Sequence, residues 1–254
     1  MSKEVFNRKE LKYILDEKCF LEMQQLLNIY MHLDCFNQGY KPYRIHTLYI
    51  DTEDHQMIRH SLSKPKFKEK IRLRSYQPFS TNELVFFEIK KKYKGVGNKR
   101  RTKMCLSEAL AFIETGEKPE LQEYMNPQVI NELAYILDGD KKYVKTYISY
   151  DRMAFVGKEN SDLRITFDQN IKGCRGSKEI YLLGEDCYVM EIKAEKGFPL
   201  WLTTFLSAYH VYKQSFSKYG KEYQMFLQGA YQDNVIREVI SMRKKESGNV
   251  RVYI

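Results

Sequence analysis

Long apolar runs are absent from this sequence, and their absence limits where the protein can reside. Nowhere do about 18 apolar residues follow one another, as a membrane-spanning helix requires. The N-terminus carries Glu4, Arg8, Lys9, Glu10 and Lys12 where a secretory signal would have its apolar segment. We therefore expect a cytoplasmic protein without a transmembrane segment, although a membrane protein could still be its partner.

Paired cysteines are also absent. The five cysteines are odd in number, are scattered along the chain and show no C-x-x-C spacing, which argues against a disulfide framework and a zinc site. The five histidines show no metal-ligand spacing either. Neither a P-loop nor a G-x-S-x-G motif occurs, so Walker-type nucleotide binding and serine-hydrolase chemistry have no support.

Positive charge is abundant, and most of it lies in one block. The formal net charge is +9, yet residues 64–103 hold 14 Lys and Arg against three acidic residues, so the rest of the chain is close to neutral. Within the block, KPKFKEKIRLRSY (64–76) carries a cation at every second position. This spacing predicts a β-strand with one cationic face.

Such a row of like charges is costly unless it is solvated or meets an anion. One interpretation is a solvated edge strand protected by lysines. The other is a surface for a partner with several negative charges, such as a phosphate chain, a nucleotide, a nucleic acid or an acidic membrane.

The order of strands and helices predicts an α+β protein built on an antiparallel sheet. Strands are predicted at 6–15, 43–51, 66–77, 83–94, 99–106, 142–156, 162–171 and 187–195, with a turn at 95–98. Helices are predicted at 16–31, 54–62, 107–115, 120–138, 200–212 and 218–242. Most strands alternate charged with apolar residues, which suits either an open sheet with a solvated face or a barrel with a charged, water-filled lumen.

Two short motifs, FEIKKK (87–92) and MEIKAE (190–195), each place Glu-x-Lys on one strand face. The carboxylate of such a motif can hold a divalent cation while the lysine binds a phosphate that the cation bridges. The same motif also forms ordinary ion pairs, and Glu10 and Glu88 can equally serve to neutralise cations.

Nine segments occur in the order RKELKY, LYIDT, KIRLRSY, FFEIKKK, NKRR, YDRMAF, LRITFD, MEIK and SFSKYG. In this order they strongly resemble the VTC domain, the polyphosphate polymerase domain of the vacuolar transporter chaperone. That domain belongs to the triphosphate tunnel metalloenzymes, together with CYTH-type phosphatases. The resemblance covers roughly residues 5–230. One departure is Arg8, which stands where the wider superfamily has the first glutamate of Glu-x-Glu-x-Lys.

The resemblance implies one domain over residues 1–254, with a core at about 5–230 and a basic helical tail at about 231–254. Its fold would be an eight-stranded antiparallel β-barrel tunnel with a charged lumen and helices packed outside. ATP, with Mn²⁺ or Mg²⁺, and inorganic polyphosphate would be its ligands, and no nucleic acid is expected.

The resemblance also implies roles for individual residues. The side chains expected at the transferred phosphate are Arg72, Arg74, Lys90, Arg164 and Lys218. Those expected to bind the nucleotide and other phosphates are Lys12, Lys99, Arg101, Tyr150, Arg152, Lys193 and Ser217, with Tyr150 near the base. Glu191 is expected to hold the metal ion.

The activity that the resemblance implies is transfer of the ATP γ-phosphate to a growing polyphosphate chain. Two alternatives stay open. The protein could be a tunnel-fold triphosphatase, in which water attacks the triphosphate. It could also be a non-catalytic module that binds polyphosphate or nucleic acid through the basic block.

Overall fold

The computed structural model describes residues 9–176, 178–195 and 197–230, and these form two compact units. Within the described residues, the first unit comprises 9–44, 149–172 and 181–218, apart from residue 196. The second comprises 45–148, 173–180 and 219–230, apart from residue 177. Arg8 and the predicted tail at 231–254 lie outside the described residues. The assignment of the whole chain to one domain stays a prediction.

The described residues form an α+β fold, as the sequence predicts. Its strands are β1 (Lys9–Asp16), β2 (Met31–Leu33), β3 (Tyr43–Thr52), β4 (Phe67–Ser75), β5 (Leu84–Tyr93), β6 (Val96–Cys105), β7 (Lys142–Gly157), β8 (Arg164–Arg175), β9 (Lys178–Tyr181) and β10 (Cys187–Ala194). Its helices are α1 (Glu17–Tyr30), α2 (Gln56–Leu62), α3 (Leu106–Thr115), α4 (Pro127–Leu137), α5 (Leu200–Ala208) and α6 (Lys218–Leu227). In this part of the chain no helix is long and apolar enough to cross a membrane.

Two element boundaries differ from the prediction for identifiable reasons. Helix α4 begins at Pro127 rather than at residue 120, because the Asn126 side chain accepts hydrogen bonds from the first helical N–H groups and proline suits the first helical position. The turn between β5 and β6 is Lys94–Gly95, not 95–98. Both residues have positive φ, 45° and 91°, which is the geometry of a two-residue hairpin turn.

In the first unit the strands are hydrogen bonded in the order β1-β10-β8-β7. Alternation along β1, β8 and β10 places residues such as Tyr13, Phe167 and Met190 in a core with Met23 and Leu27 of α1. Charged side chains alternate with these residues along the same strands. The side chains that share this polar face are Glu10, Lys12, Arg164, Asp168, Glu191 and Lys193.

In the second unit the order is β7-β3-β4-β5-β6. Residues such as Ile71, Leu73 and Phe87 pack with Phe112 of α3 and Leu133 of α4. The alternating positions of β4, β5 and β6 therefore place the cationic block on the opposite face of the sheet. The described residues thus show an antiparallel sheet. Neither strand order returns to its first strand. Closure of the sheet into an eight-stranded barrel stays a prediction.

Candidate functional site

Three lysines lie side by side on the polar face of the second unit. The registers of β4, β5 and β6 pair Lys70 with Lys90 and Lys90 with Lys99. The next row pairs Lys68 with Lys92. Like charges directly opposite each other destabilise a sheet, because their side chains are within a few ångströms. These rows are therefore typical of a face that meets an anion with several charges.

One buried carboxylate lies in the row beside the lysines. Glu88 of β5 is fully buried and contacts three cations. Its Oε2 accepts a hydrogen bond of 2.8 Å from Nε of Arg72 and lies 3.8 Å from Nε of Arg74. Its Oε1 lies 2.6 Å from Nζ of Lys99. Three cations around one carboxylate leave a surplus of positive charge at fixed positions, and Glu88 thus serves to orient the cations.

The same contacts set the protonation of the cluster. Burial raises the pKa of Glu88, but Arg72, Arg74 and Lys99 hold it well below its usual range. Burial lowers the pKa of Lys99, the Glu88 carboxylate raises it, and the two arginines lower it again, to about 7. Glu88 is therefore ionised near neutral pH, whereas Lys99 loses its proton there.

Binding of a polyanion at this cluster should weaken as the pH rises through the pKa of Lys99. An arginine stays charged over this range, so Lys99→Arg should keep its affinity. The ratio of wild-type to variant affinity for tripolyphosphate, measured by calorimetry, should fall about tenfold between about pH 6 and about pH 8.5, the loss expected for one charged hydrogen bond. Parallel pH profiles for the two proteins would show that Lys99 is not the titrating group.

Arg101, which the resemblance assigns to the phosphates, makes a different contact. Its guanidinium carbon lies 4.4 Å from the ring centroid of Phe86, and its side chain is exposed. Lys103 approaches the same ring at 5.9 Å. Arg101 is thus held by an aromatic ring rather than by Glu88, with which it is paired across the strands.

A second buried carboxylate orients cations in the first unit. Asp168 of β8 is fully buried and accepts hydrogen bonds of 2.6 and 2.8 Å from Nε and Nη2 of Arg152. Lys218, the first residue of α6, donates to its Oδ2 at 2.5 Å. Burial raises the pKa of Asp168, but these two cations lower it to about 2.

Tyr150 of β7 lies beneath the same two cations. The Lys218 ammonium is 4.2 Å and the Arg152 guanidinium carbon 5.3 Å from its ring centroid. The ring is only 2% exposed. These two cation–π contacts help to place Lys218 and Arg152.

Glu191 of β10 is held between two lysines. Its Oε1 lies 2.6 Å from Nζ of Lys193, and its Oε2 lies 3.6 Å from Nζ of Lys12. The Lys12 ammonium is also 3.8 Å from Oε1 of Glu10, which brings two carboxylates close to one cation. Arg164 of β8 lies next to Lys193 in the strand register, and Ser217 directly precedes Lys218.

The described residues contain no group of three His, Cys, Asp or Glu side chains that could hold a metal ion by themselves. Mg²⁺ is usually bound by one or two carboxylates together with phosphate oxygens of the substrate. Glu191 is nearly buried and lies near Glu10, which fits this second arrangement. The donor set therefore suits a metal ion that binds together with a phosphate ligand.

The structure brings most of the predicted site residues together in three clusters. Arg72, Arg74 and Lys99 surround Glu88, with Lys90 in the adjacent row. Arg152 and Lys218 bind Asp168 and lie over the ring of Tyr150, and Lys12 and Lys193 flank Glu191. Asp168 was not among the predicted site residues. Its place on the charged face of LRITFD, in alternation with Ile165 and Phe167, was the signal that could have identified it.

Comparison with known proteins agrees with the sequence motifs. The family model of the VTC domain matches residues 7–227, which confirms the resemblance. A candidate adenylate cyclase from Bacillus halodurans is similar in structure, with a TM-score of 0.50 at 12% identity, over 85% of this chain and 96% of that one. Another from Vibrio parahaemolyticus gives 0.42 at 13% identity, over 85% and 96%. At these identities the likeness concerns the fold alone. A search of curated proteins finds no match.

Proposed function

Because the chain belongs to the VTC domain family, we propose that it is a metal-dependent polyphosphate polymerase. It would transfer the γ-phosphate of ATP to the end of a growing inorganic polyphosphate chain. The observation that carries this proposal is the row Lys70, Lys90 and Lys99, with Lys68 and Lys92 beside it. A linear polyanion supplies negative charge at regular intervals, which is what successive rows of cations require.

Phosphate groups would bind to cations whose directions are already fixed. Glu88 holds Arg72, Arg74 and Lys99 through contacts made within the protein itself. Donors that are oriented in advance need little reorganisation when charge develops on a transferring phosphoryl group. Arg72 and Arg74 would therefore stabilise the transferred phosphate, together with Lys90 of the adjacent row.

The clusters of the first unit would act in the same way. Lys218 and Arg152, oriented by Asp168, would neutralise phosphate oxygens, with Arg164 and Ser217 as further contacts. Glu191 would hold Mn²⁺ or Mg²⁺ with help from Glu10, and a bound ion would neutralise charge on the bridged phosphates. Lys12 and Lys193, which flank Glu191, would then bind the same phosphates.

The reaction needs no protein nucleophile or general base. The terminal phosphate of a polyphosphate chain is already anionic, so it can attack the γ-phosphorus of ATP directly. Catalysis then consists of alignment and charge neutralisation. Glu88 and Asp168 suit such a reaction, because carboxyl groups with strongly lowered pKa values are weak bases.

The direct test is to incubate the purified protein with ATP and Mn²⁺ and to follow polyphosphate, ADP and free phosphate separately. Polymer that appears in step with ADP supports the polymerase. Free phosphate without polymer would assign the chain to the triphosphatases. Binding of ATP or polyphosphate without either product, unchanged by a metal chelator, would leave a non-catalytic binding module.

A further inference from the structure

Two stacked tyrosines lie next to Arg72, and neither has been given a role in phosphate binding above. The rings of Tyr49 on β3 and Tyr219 on α6 are 4.6 Å apart and inclined by 16°. Both side chains are buried. The Tyr49 hydroxyl accepts a hydrogen bond of 3.1 Å from Nη1 of Arg72. The Tyr219 hydroxyl donates one of 2.9 Å to Oδ2 of Asp51.

Asp51 fixes the far end of this arrangement to the backbone. Its carboxylate is fully buried and accepts hydrogen bonds from the backbone N–H groups of Thr52, Met57 and Ile58 at 2.8 to 3.0 Å. A carboxylate with several short backbone hydrogen bonds has little freedom to move. The position of the Tyr219 ring, and of the Tyr49 ring stacked on it, is therefore determined by the main chain.

We propose that Tyr49 and Tyr219 are positioning residues that set the plane of the Arg72 guanidinium for phosphate binding. The Glu88 carboxylate accepts a hydrogen bond from Nε of Arg72 and lies 2.8 Å from Nη2 of Arg72, and these contacts fix one edge of the guanidinium. Tyr49 accepts from Nη1, which fixes the opposite side. A planar guanidinium recognises phosphate through paired, directed N–H groups, so its orientation determines how well it binds. The inference rests on the proposed phosphate-binding role of Arg72.

Tyr49→Phe tests this directly, because it removes the acceptor and keeps the ring that stacks on Tyr219. Tripolyphosphate should bind about tenfold more weakly at about pH 6.5, the loss expected for one hydrogen bond to a charged group. Tyr219→Phe should weaken binding in the same direction by a smaller factor, since the stack remains. Tyr93→Phe, an exposed tyrosine on β5, is the matched control and should bind as the wild type does.

The dependence on pH separates positioning from a general structural role. Burial raises the pKa of Tyr49, and Arg72, Lys70 and Arg74 lower it, to about 8. The other charged or titratable groups around Arg72 and the two tyrosines are Glu88, Lys99, Asp51 and Tyr219. Above about pH 8 the Tyr49 phenolate would add negative charge beside Arg72. The affinity advantage of the wild type over Tyr49→Phe should therefore disappear by about pH 9.5.

A second measurement uses the wild type alone and does not depend on the folding of a variant. Because its pKa is lowered to about 8, Tyr49 should ionise before ordinary tyrosines, as a first step in the phenolate absorbance of the wild type. Tripolyphosphate should shift this step to higher pH, because an anion bound at Arg72 disfavours a second negative charge beside it. No shift, or equal affinities of wild type and Tyr49→Phe across the pH range, would overturn the inference. If Tyr49→Phe binds tripolyphosphate more weakly but the wild type forms no polymer from ATP, the positioning role stands and the polymerase proposal fails.

Discussion

Glu191→Gln is expected to lower the rate of polymer formation by at least about 100-fold, the range seen when one preorganised charge contact to a transition state is lost. Glutamine has nearly the same size but lacks the negative charge that would hold a divalent cation. Polymer formation from ATP and Mn²⁺ should be measured on gels at saturating concentrations of both.

Anion binding should respond in the opposite direction. In the wild type, Glu191 neutralises part of the charge of Lys193 and Lys12. Its replacement leaves those two lysines with less compensation, so tripolyphosphate should bind as tightly as before or more tightly in the presence of a chelator. Glu185→Gln, at an exposed position of the same unit, should change neither property. Polymerase activity within a few-fold of the wild type in Glu191→Gln would remove Glu191 from the metal site.

Glu88→Gln is expected to lower the free energy of unfolding by about 3–5 kcal/mol, the loss typical when one partner of a buried ion pair is removed. Glu88 is fully buried, and Arg72 and Arg74 are themselves 15% and 7% exposed. Without the carboxylate, the two arginines would repel each other with little solvent to screen them. Urea denaturation followed by circular dichroism measures the loss.

The matched control is Glu69→Gln, on the neighbouring strand. Glu69 contacts Lys91 at 3.2 Å, and that lysine has Glu132 as a second partner at 2.7 Å. Its loss should cost less than about 1 kcal/mol, as for other solvent-accessible pairs. Tripolyphosphate should also raise the melting temperature of Glu88→Gln more than that of the wild type, since a bound anion replaces the missing charge. Equal stability losses for the two variants would contradict a special role of Glu88.

The period-two pattern predicts the sheet and its cationic face well. Side chains of one strand alternate by geometry alone, so Lys70 and Arg72 could be placed on one face of their strand without a structure. Family motifs then supplied most of the remaining candidate site residues. Within one strand pattern or one motif, the residues concerned are close together in the sequence.

Contacts between distant segments could not be derived in this way. Tyr49 and Tyr219 meet only because α6 packs against β3, and no local pattern encodes that approach. Asp168 and Lys218 are 50 residues apart in the sequence, and they too meet only in the folded protein. The phosphate-binding role of Arg101 stays a prediction. Its contact with Phe86 rather than with Glu88 depends on rotamers that the sequence does not specify.

The buried carboxylates have a consequence for how binding should respond to salt. When a polyanion binds to solvated lysines and arginines, the counterions condensed on the polyanion are released into solution, and affinity therefore falls steeply as salt is added. Glu88 and Asp168 are counterions that cannot leave, because they are part of the chain. Cations paired with these carboxylates neutralise less of the charge of a phosphate chain, so fewer of its counterions are released when it binds. The protein should therefore retain its polyanion at salt concentrations that would detach the same chain from an equal number of solvated lysines.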